Sequence, residues 1–325
     1  MKKLFFSLAA IVALFATSCV TEANTDLRGA GNEATVTFSI NTAKLGSRAY
    51  NDGYKATALT YAIYDKDWKH LQTYTDSFDG VSLEKEITLR LVKNKTYNFV
   101  FWTQNPGVNC YTLDLDSDGV KPNVEINYNN LTSNNDNYDA FFGQELNLVV
   151  GGSINKTVEL RRPFAQINFG TDDLEEAKDM GFDLAQAQVS FRTKAYTKFY
   201  LHDGAVDGTP VEVTFTNATP IDTVVGTKTL DTKALGLFYW VSMNYILWPN
   251  PNVPADASKD LSLDLCEITV SLPGQENVVV GVPQAPARRN WRTNLVGSLL
   301  TEKSIFKVVI MPDPEDAYDQ VVPNN

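Results

Sequence analysis

The sequence predicts an all-β protein of sandwich architecture, and three observations carry that expectation. Apolar and polar residues alternate with a period of two in many short runs, the pattern of strands with one buried face. Clusters of Gly, Pro, Asn and Asp punctuate those runs, as turns between antiparallel strands require. Only one stretch carries the start and stop signals of a helix. With 325 residues the chain is long enough for two ordinary domains, each with a sizeable core.

In order along the chain, Lys2 and Lys3 precede an apolar run from Leu4 to Phe15, followed by Ala16-Thr-Ser-Cys19. That arrangement is a secretory signal, too short to span a membrane. The cysteine at its end makes residues 1–18 resemble a bacterial lipoprotein signal, with Cys19 as the acylated first residue of the mature chain. Residues 20–33 are polar and small and read as a flexible leader. The first strand is expected at 34–41, with Val36, Phe38 and Ile40 on one face and Thr35, Thr37 and Ser39 on the other. A loop containing Gly46, Arg48 and Gly53 follows. A second strand runs from Leu59 to Tyr64 and ends at the charged turn Asp65-Lys-Asp67.

Between Val81 and Leu91 the odd positions are apolar except Lys85, and the even ones polar, so this strand should be half-buried in an antiparallel sheet. Thr96–Thr103 (TYNFVFWT) is β-prone on both faces and should lie at the centre of a sheet. Residues 104–137, rich in Asn, Asp, Gly and Pro, read as loop. A break at Leu160–Pro163 divides the chain into two sandwiches. The helix is expected at Asp172–Met180, with Asp172 capping, Glu175 at the boxed position, Lys178 in the last turn and Gly181 ending it. Strands resume at 187–192, 198–202, 211–216, 237–247, 261–272, 278–282 and 305–311. The implied organisation is a signal at 1–18, a lipid-anchored leader with a removable first strand at 19–48, and sandwich domains at 49–160 and 161–325.

Composition narrows function. The formal charge is −11, and removal of Lys2 and Lys3 with the signal takes it to −13, a poor match for nucleic acid. Two histidines, His70 and His202, no nucleophile elbow, no phosphate loop and no zinc signature argue against an enzyme. Abundant carboxylates read as solvated acids rather than a glycosidase pair. Cys110 and Cys266 could pair outside the cytoplasm, but they fall in different expected domains and two cysteines make no disulfide framework, so buried free thiols are the favoured reading. No cofactor is expected apart from one candidate cation loop. Asp114-x-Asp116-x-Asp118-Gly119 with Glu125 after five further residues matches a Ca²⁺ loop, in which alternating acids and a distant bidentate Glu supply oxygens. An Asp-rich surface turn is the other reading, favoured by the lack of flanking helices and by Pro122. Arg288-Arg-Asn-Trp-Arg292 reads as a structural loop, its guanidinium groups paired with acids or stacked on Trp291, or as a site for an anionic glycan or lipid.

Several segments, in order, resemble the fimbrillin-like lipoproteins of Bacteroides-type bacteria. They are Tyr97–Trp102, Asp139-Ala-Phe-Phe-Gly143, Leu160-Arg-Arg-Pro-Phe-Ala-Gln-Ile167, and Asn290–Asn294 with Gly297 and Leu299–Thr301. The resemblance implies two consecutive transthyretin-like Greek-key sandwiches, assembled with other fimbrial subunits into type V pili at the outer membrane. It further implies a lipidated precursor, anchored through Cys19, that an Arg-specific protease cuts. Arg48 is the expected cleavage point and Arg28 the weaker one, because it precedes the first strand. Cleavage at Arg48 detaches Val36, Phe38 and Ile40 and uncovers an apolar groove that a neighbour's strand fills. The tail at 317–322 is either the donor or a frayed end. The alternative is a permanently anchored surface protein, a fimbrial base anchor or a glycan-binding adhesin, with Trp68, Trp248 and residues 104–137 as its binding surface. Asp222-Thr-Val224 resembles the O-glycosylation sequon of the same bacteria.

Overall fold

The expected alternations are realised as strands in a computed structural model that describes residues 32–42, 53–80, 82–129, 131–183, 186–217 and 238–301, with the backbone of 306–311 and 320–321. The first half contains β1 (Glu33–Thr42), β2 (Ala58–Asp65), β3 (His70–Ser77), β4 (Glu84–Val92) and β5 (Thr96–Gln104). It continues with β6 (Tyr111–Asp114), β7 (Asn123–Ile126), β8 (Thr132–Ser133), β9 (Ala140–Val149) and β10 (Ile154–Leu160). After a three-residue link come β11 (Phe164–Thr171), α1 (Leu174–Asp179), β12 (Gln188–Ala195), β13 (Lys198–Tyr200), β14 (Val206–Asp207) and β15 (Val211–Asn217). The remainder is β16 (Tyr239–Leu247), β17 (Ser262–Leu263), β18 (Cys266–Ser271), β19 (Val278–Gly281), β20 (Ala285–Pro286), β21 (Arg292–Gly297), β22 (Phe306–Met311) and β23 (Gln320–Val321).

Two sheets, β10-β1-β4 and β3-β2-β5-β9, face each other and form the first sandwich. Its core joins Val36, Phe38 and Ile40 to Ile63, Phe99, Phe101, Phe141 and Leu160. The second sandwich is made by β16-β11-β21-β22-β23 and β19-β18-β12-β15-β8, and a smaller sheet, β14-β13-β7-β6, adjoins it. β5 explains how the halves meet. Its Phe99 and Phe101 enter the first core, while Val100 and Trp102 point the other way, into the second. The centre of the sheet β3-β2-β5-β9 is therefore buried on both faces, which is why β5 lacks a polar side.

The segment 104–137 departs from the loop expectation, because it contributes β6, β7 and β8. β7 pairs with β13 and β8 with β15, so tertiary partners from the second half make strands of a turn-rich sequence. The expected strand at 261–272 is two strands, β17 and β18, that pair with different neighbours. α1 is capped by Asp173 rather than Asp172. The Asp173 carboxylate makes no capping bond and instead accepts from the backbone of Leu300 and Thr301, at 3.0 and 2.8 Å, tying the helix start to the end of the second core. Cys110 and Cys266 are free and buried, and both line the second core. Burial pushes their thiols up to about 11 and about 12.

Gly143, in the Asp139–Gly143 segment, shows what such a motif does physically. A Cβ there would sit 2.8 Å from side-chain atoms of both Leu160 and Val158, so only glycine lets β9 pass beneath β10.

Candidate functional site

β1 is the element on which the expected function turns, and its sequence dictates its place. Alternate residues Ala34, Val36, Phe38 and Ile40 are buried, and the intervening ones look outward. The Phe38 ring lies 4.7 Å from Phe99 and 5.6 Å from Phe101, across the sandwich. Fully burying a large apolar side chain contributes roughly 1.5–3 kcal/mol, so Val36, Phe38 and Ile40 together contribute on the order of 5–9 kcal/mol. A whole domain is typically stable by only about 5–15 kcal/mol. An empty β1 position is thus comparable in cost to the entire stability of the sandwich.

A removable first strand is expected at a sheet edge, and there the structure differs. β1 runs through the middle of its sheet, parallel to β10 on one side and antiparallel to β4 on the other. Val36 stands opposite Ile154 and Leu89, and Ile40 opposite Val158 and Lys85. β4 and β10 do not pair with each other, so β1 alone makes them one sheet. Its removal would leave two facing ladders of unpaired N–H and C=O groups, rather than one. Periodicity reveals which face of a strand is buried; it is silent about how many neighbours the strand has.

Of the other residues that the sequence singles out, Cys19, Arg48, Arg28 and Asp222–Val224 lie outside the described residues, as does most of the 317–322 tail. The backbone of β23, at Gln320–Val321, pairs antiparallel with β22. Asp114 closes β6 and its Oδ1 accepts from the Ser117 N–H at 3.3 Å, while Asp116 and Asp118 are exposed in the β6–β7 turn. Glu125 stands on β7 opposite Thr112, and its carboxylate lies 3.4 Å from the Lys198 ammonium. The strand pairing therefore directs Glu125 to a lysine and away from the Asp turn. Among the described residues no group of three or more His, Cys, Asp or Glu is arranged to share a metal ion.

Trp248, part of the binding surface only in the adhesin alternative, is 3% exposed and packs against Tyr196. Trp68 is half-buried, with its ring 5.5 Å from His202 and the Lys121 ammonium 5.2 Å above it. In the basic cluster, Arg288 stacks on Trp291 at 4.1 Å, as the stacking alternative anticipates. Arg289 turns inward, donates to the carbonyls of Trp248 and Gly204, and meets Asp256 at 3.4 Å. Burial lowers its guanidinium to about 10, opposed by the charge of Asp256. Arg162 forms a bidentate pair with the buried Asp139 at 2.7 and 2.6 Å, a feature no local sequence signal marks.

A family model described as "Family of unknown function (DUF6562)" matches residues 25–322. No curated protein matches the chain. Among solved structures it is similar to a Bacteroides thetaiotaomicron protein provisionally ascribed to polysaccharide binding, at 9% identity, covering 89% of this chain and 98% of that one, with a TM-score of 0.52. A provisionally assigned adhesin from the same species has 13% identity, coverage of 90% and 99%, and a TM-score of 0.50. The tip fimbrial protein Mfa3 of Porphyromonas gingivalis, C-terminally truncated, has 13% identity, coverage of 86% and 99%, and a TM-score of 0.46. At such identities the first two likenesses establish a shared fold.

Proposed function

The chain belongs to the DUF6562 family of unknown function, and we propose that it is a structural or accessory subunit of a surface fimbria, exported as a lipoprotein and assembled by strand replacement. The carrying observation is β1, a central strand placed next to the N-terminus and joined to β2 through a segment that contains Arg48. Cutting after Arg48 separates β1, together with the lipid on Cys19, from the rest of the chain. The sandwich then needs a strand that supplies alternating apolar side chains and backbone partners on both sides, and another subunit can provide it. The shared fold with a protein provisionally called an adhesin accords with a role at the cell surface.

The test is incubation of the full chain with an arginine-specific protease. The expected result is an N-terminus at Ala49, loss of the β1 fragment and self-association of the remainder, blocked by excess peptide of residues 33–42. A trimmed chain that stays monomeric at an unchanged melting temperature would refute the proposal.

The two-sided pairing of β1 also favours a second reading. A strand so firmly held can equally stay in place for good, leaving a permanently anchored fimbrial base or adhesin. The N-terminal residue of the protein recovered from cells decides: Cys19 for the anchor, Ala49 for the processed subunit.

A further inference from the structure

At the junction of the two sandwiches lies a cavity of about 190 Å³, lined by β9, the link between β10 and β11, and the turns at 203–204, 250–253 and 288–291. No residue of β1 lines it, so the cavity is distinct from the groove that β1 fills. Four arginines line it, in a protein of formal charge −11. Arg162 and Arg289 are committed to the buried carboxylates Asp139 and Asp256 and form a fixed floor. Arg161 and Arg288 are not committed in that way. The Arg161 side chain is 62% exposed and, among the described residues, its one ion pair is with the exposed Glu159, at 3.3 Å, a surface pair of little energetic weight. Arg288 has no ion-pair partner among the described residues and is held flat on Trp291. A single acid, Asp203, lines the cavity.

Apart from Gly204 and Val253, the rest of the lining is amide and aromatic. Asn250 uses its side-chain oxygen on the Asn252 N–H at 3.0 Å, which leaves its NH₂ group without a partner among the described residues. Asn252, Gln144, Asn290 and the aromatic residues Phe142 and Trp291 also line it. Guanidinium groups suit a carboxylate, amides suit hydroxyls, and aromatic rings suit the C–H face of a pyranose. The volume is below the ~300–1,000 Å³ of sites for drug-sized ligands, which restricts the occupant to one small unit.

We propose that this cavity binds a single carboxylated sugar residue of the uronic acid class, its carboxylate between Arg161 and Arg288 and its hydroxyls on Asn250 and Asn252. The test is isothermal titration calorimetry of the full chain with glucuronic acid, glucose and acetate at constant ionic strength and pH 7. Glucuronic acid is expected to bind at least about tenfold more tightly than either comparison compound, as loss of one charge-assisted hydrogen bond predicts. Arg161→Ala is expected to weaken it by about tenfold with an unchanged melting temperature, because that side chain is on the surface. Arg288→Lys keeps the charge but not the planar stack and is expected to fall between the two. Equal binding of acetate, which marks a bare anion site, equal binding of glucose, or an Arg161→Ala chain that binds as the parent does would each overturn the proposal.

Discussion

Asp139 and Arg162 meet through two short hydrogen bonds, with the carboxylate wholly shielded and the guanidinium nearly so. A buried pair is a weak source of stability when intact, but removing one partner strands the other charge at about 3–5 kcal/mol. Asp139→Asn is therefore expected to destabilise by that amount in urea denaturation; a loss below about 1 kcal/mol would show Arg162 to be solvated instead. His202 gives a pH counterpart. Burial lowers its pKa below 6.5, with Asp203 opposing and Lys121 reinforcing the shift. The unfolded chain then takes up the proton first as pH falls, so the stability linked to this group is complete above 6.5 and declines below it. His202→Gln is expected to flatten the acid side of the urea midpoint curve between about pH 7 and pH 5. Parallel curves for the two proteins would contradict the assignment. At this scale the sequence was only partly readable. Arg288 on Trp291 is a contact between residues three apart and was visible in the Arg288–Arg292 cluster. Arg289 with Asp256 joins distant positions, and nothing near either residue announces the other.

Among elements, β1 and β4 were legible because each has one buried face and a strict period of two. β6 and β7 were not, since these short strands lie in a turn-rich segment and β7, which carries β6, pairs with β13, far along the chain. The centrality of β1 escaped for a related reason: pairing partners leave no trace in the strand they pair with. Its energetic weight can be measured. Phe38→Ala is expected to cost about 3–5 kcal/mol through the cavity left between Phe99 and Phe101. Thr37→Ala, on the outward face, is expected to change stability by about 0.5 kcal/mol or less. Similar effects of the two substitutions, read from denaturant midpoints, would mean that β1 does not bury one face in the core. The candidate Ca²⁺ loop, for which the surface turn is the favoured reading, shows the limit of spacing as a signal. Spacing along the chain matched a cation site, yet the strand register puts Glu125 beside Lys198.

For the molecule as a whole, the all-β class and the sandwich form followed from alternation and turn spacing, and the structure has both. The two-sided burial of β5 was also legible, as a strand without a polar face. Its cause was not: one sheet serves two cores, so the sandwiches stack instead of standing apart as beads.

The parallel pairing of β1 with β10 has a temporal consequence. Chains leave the ribosome amino end first, and Val36 cannot meet Ile154 until the intervening segment has been made. At synthesis rates of about 5–20 residues per second, making that segment alone takes on the order of ten seconds, and export as an unfolded chain would lengthen the wait. Throughout that wait the nascent stripe of Val36, Phe38 and Ile40 is a sticky, half-housed ribbon. A holding chaperone is the natural custodian for it, and shortening the interval between the two strands should reduce aggregation of newly made protein.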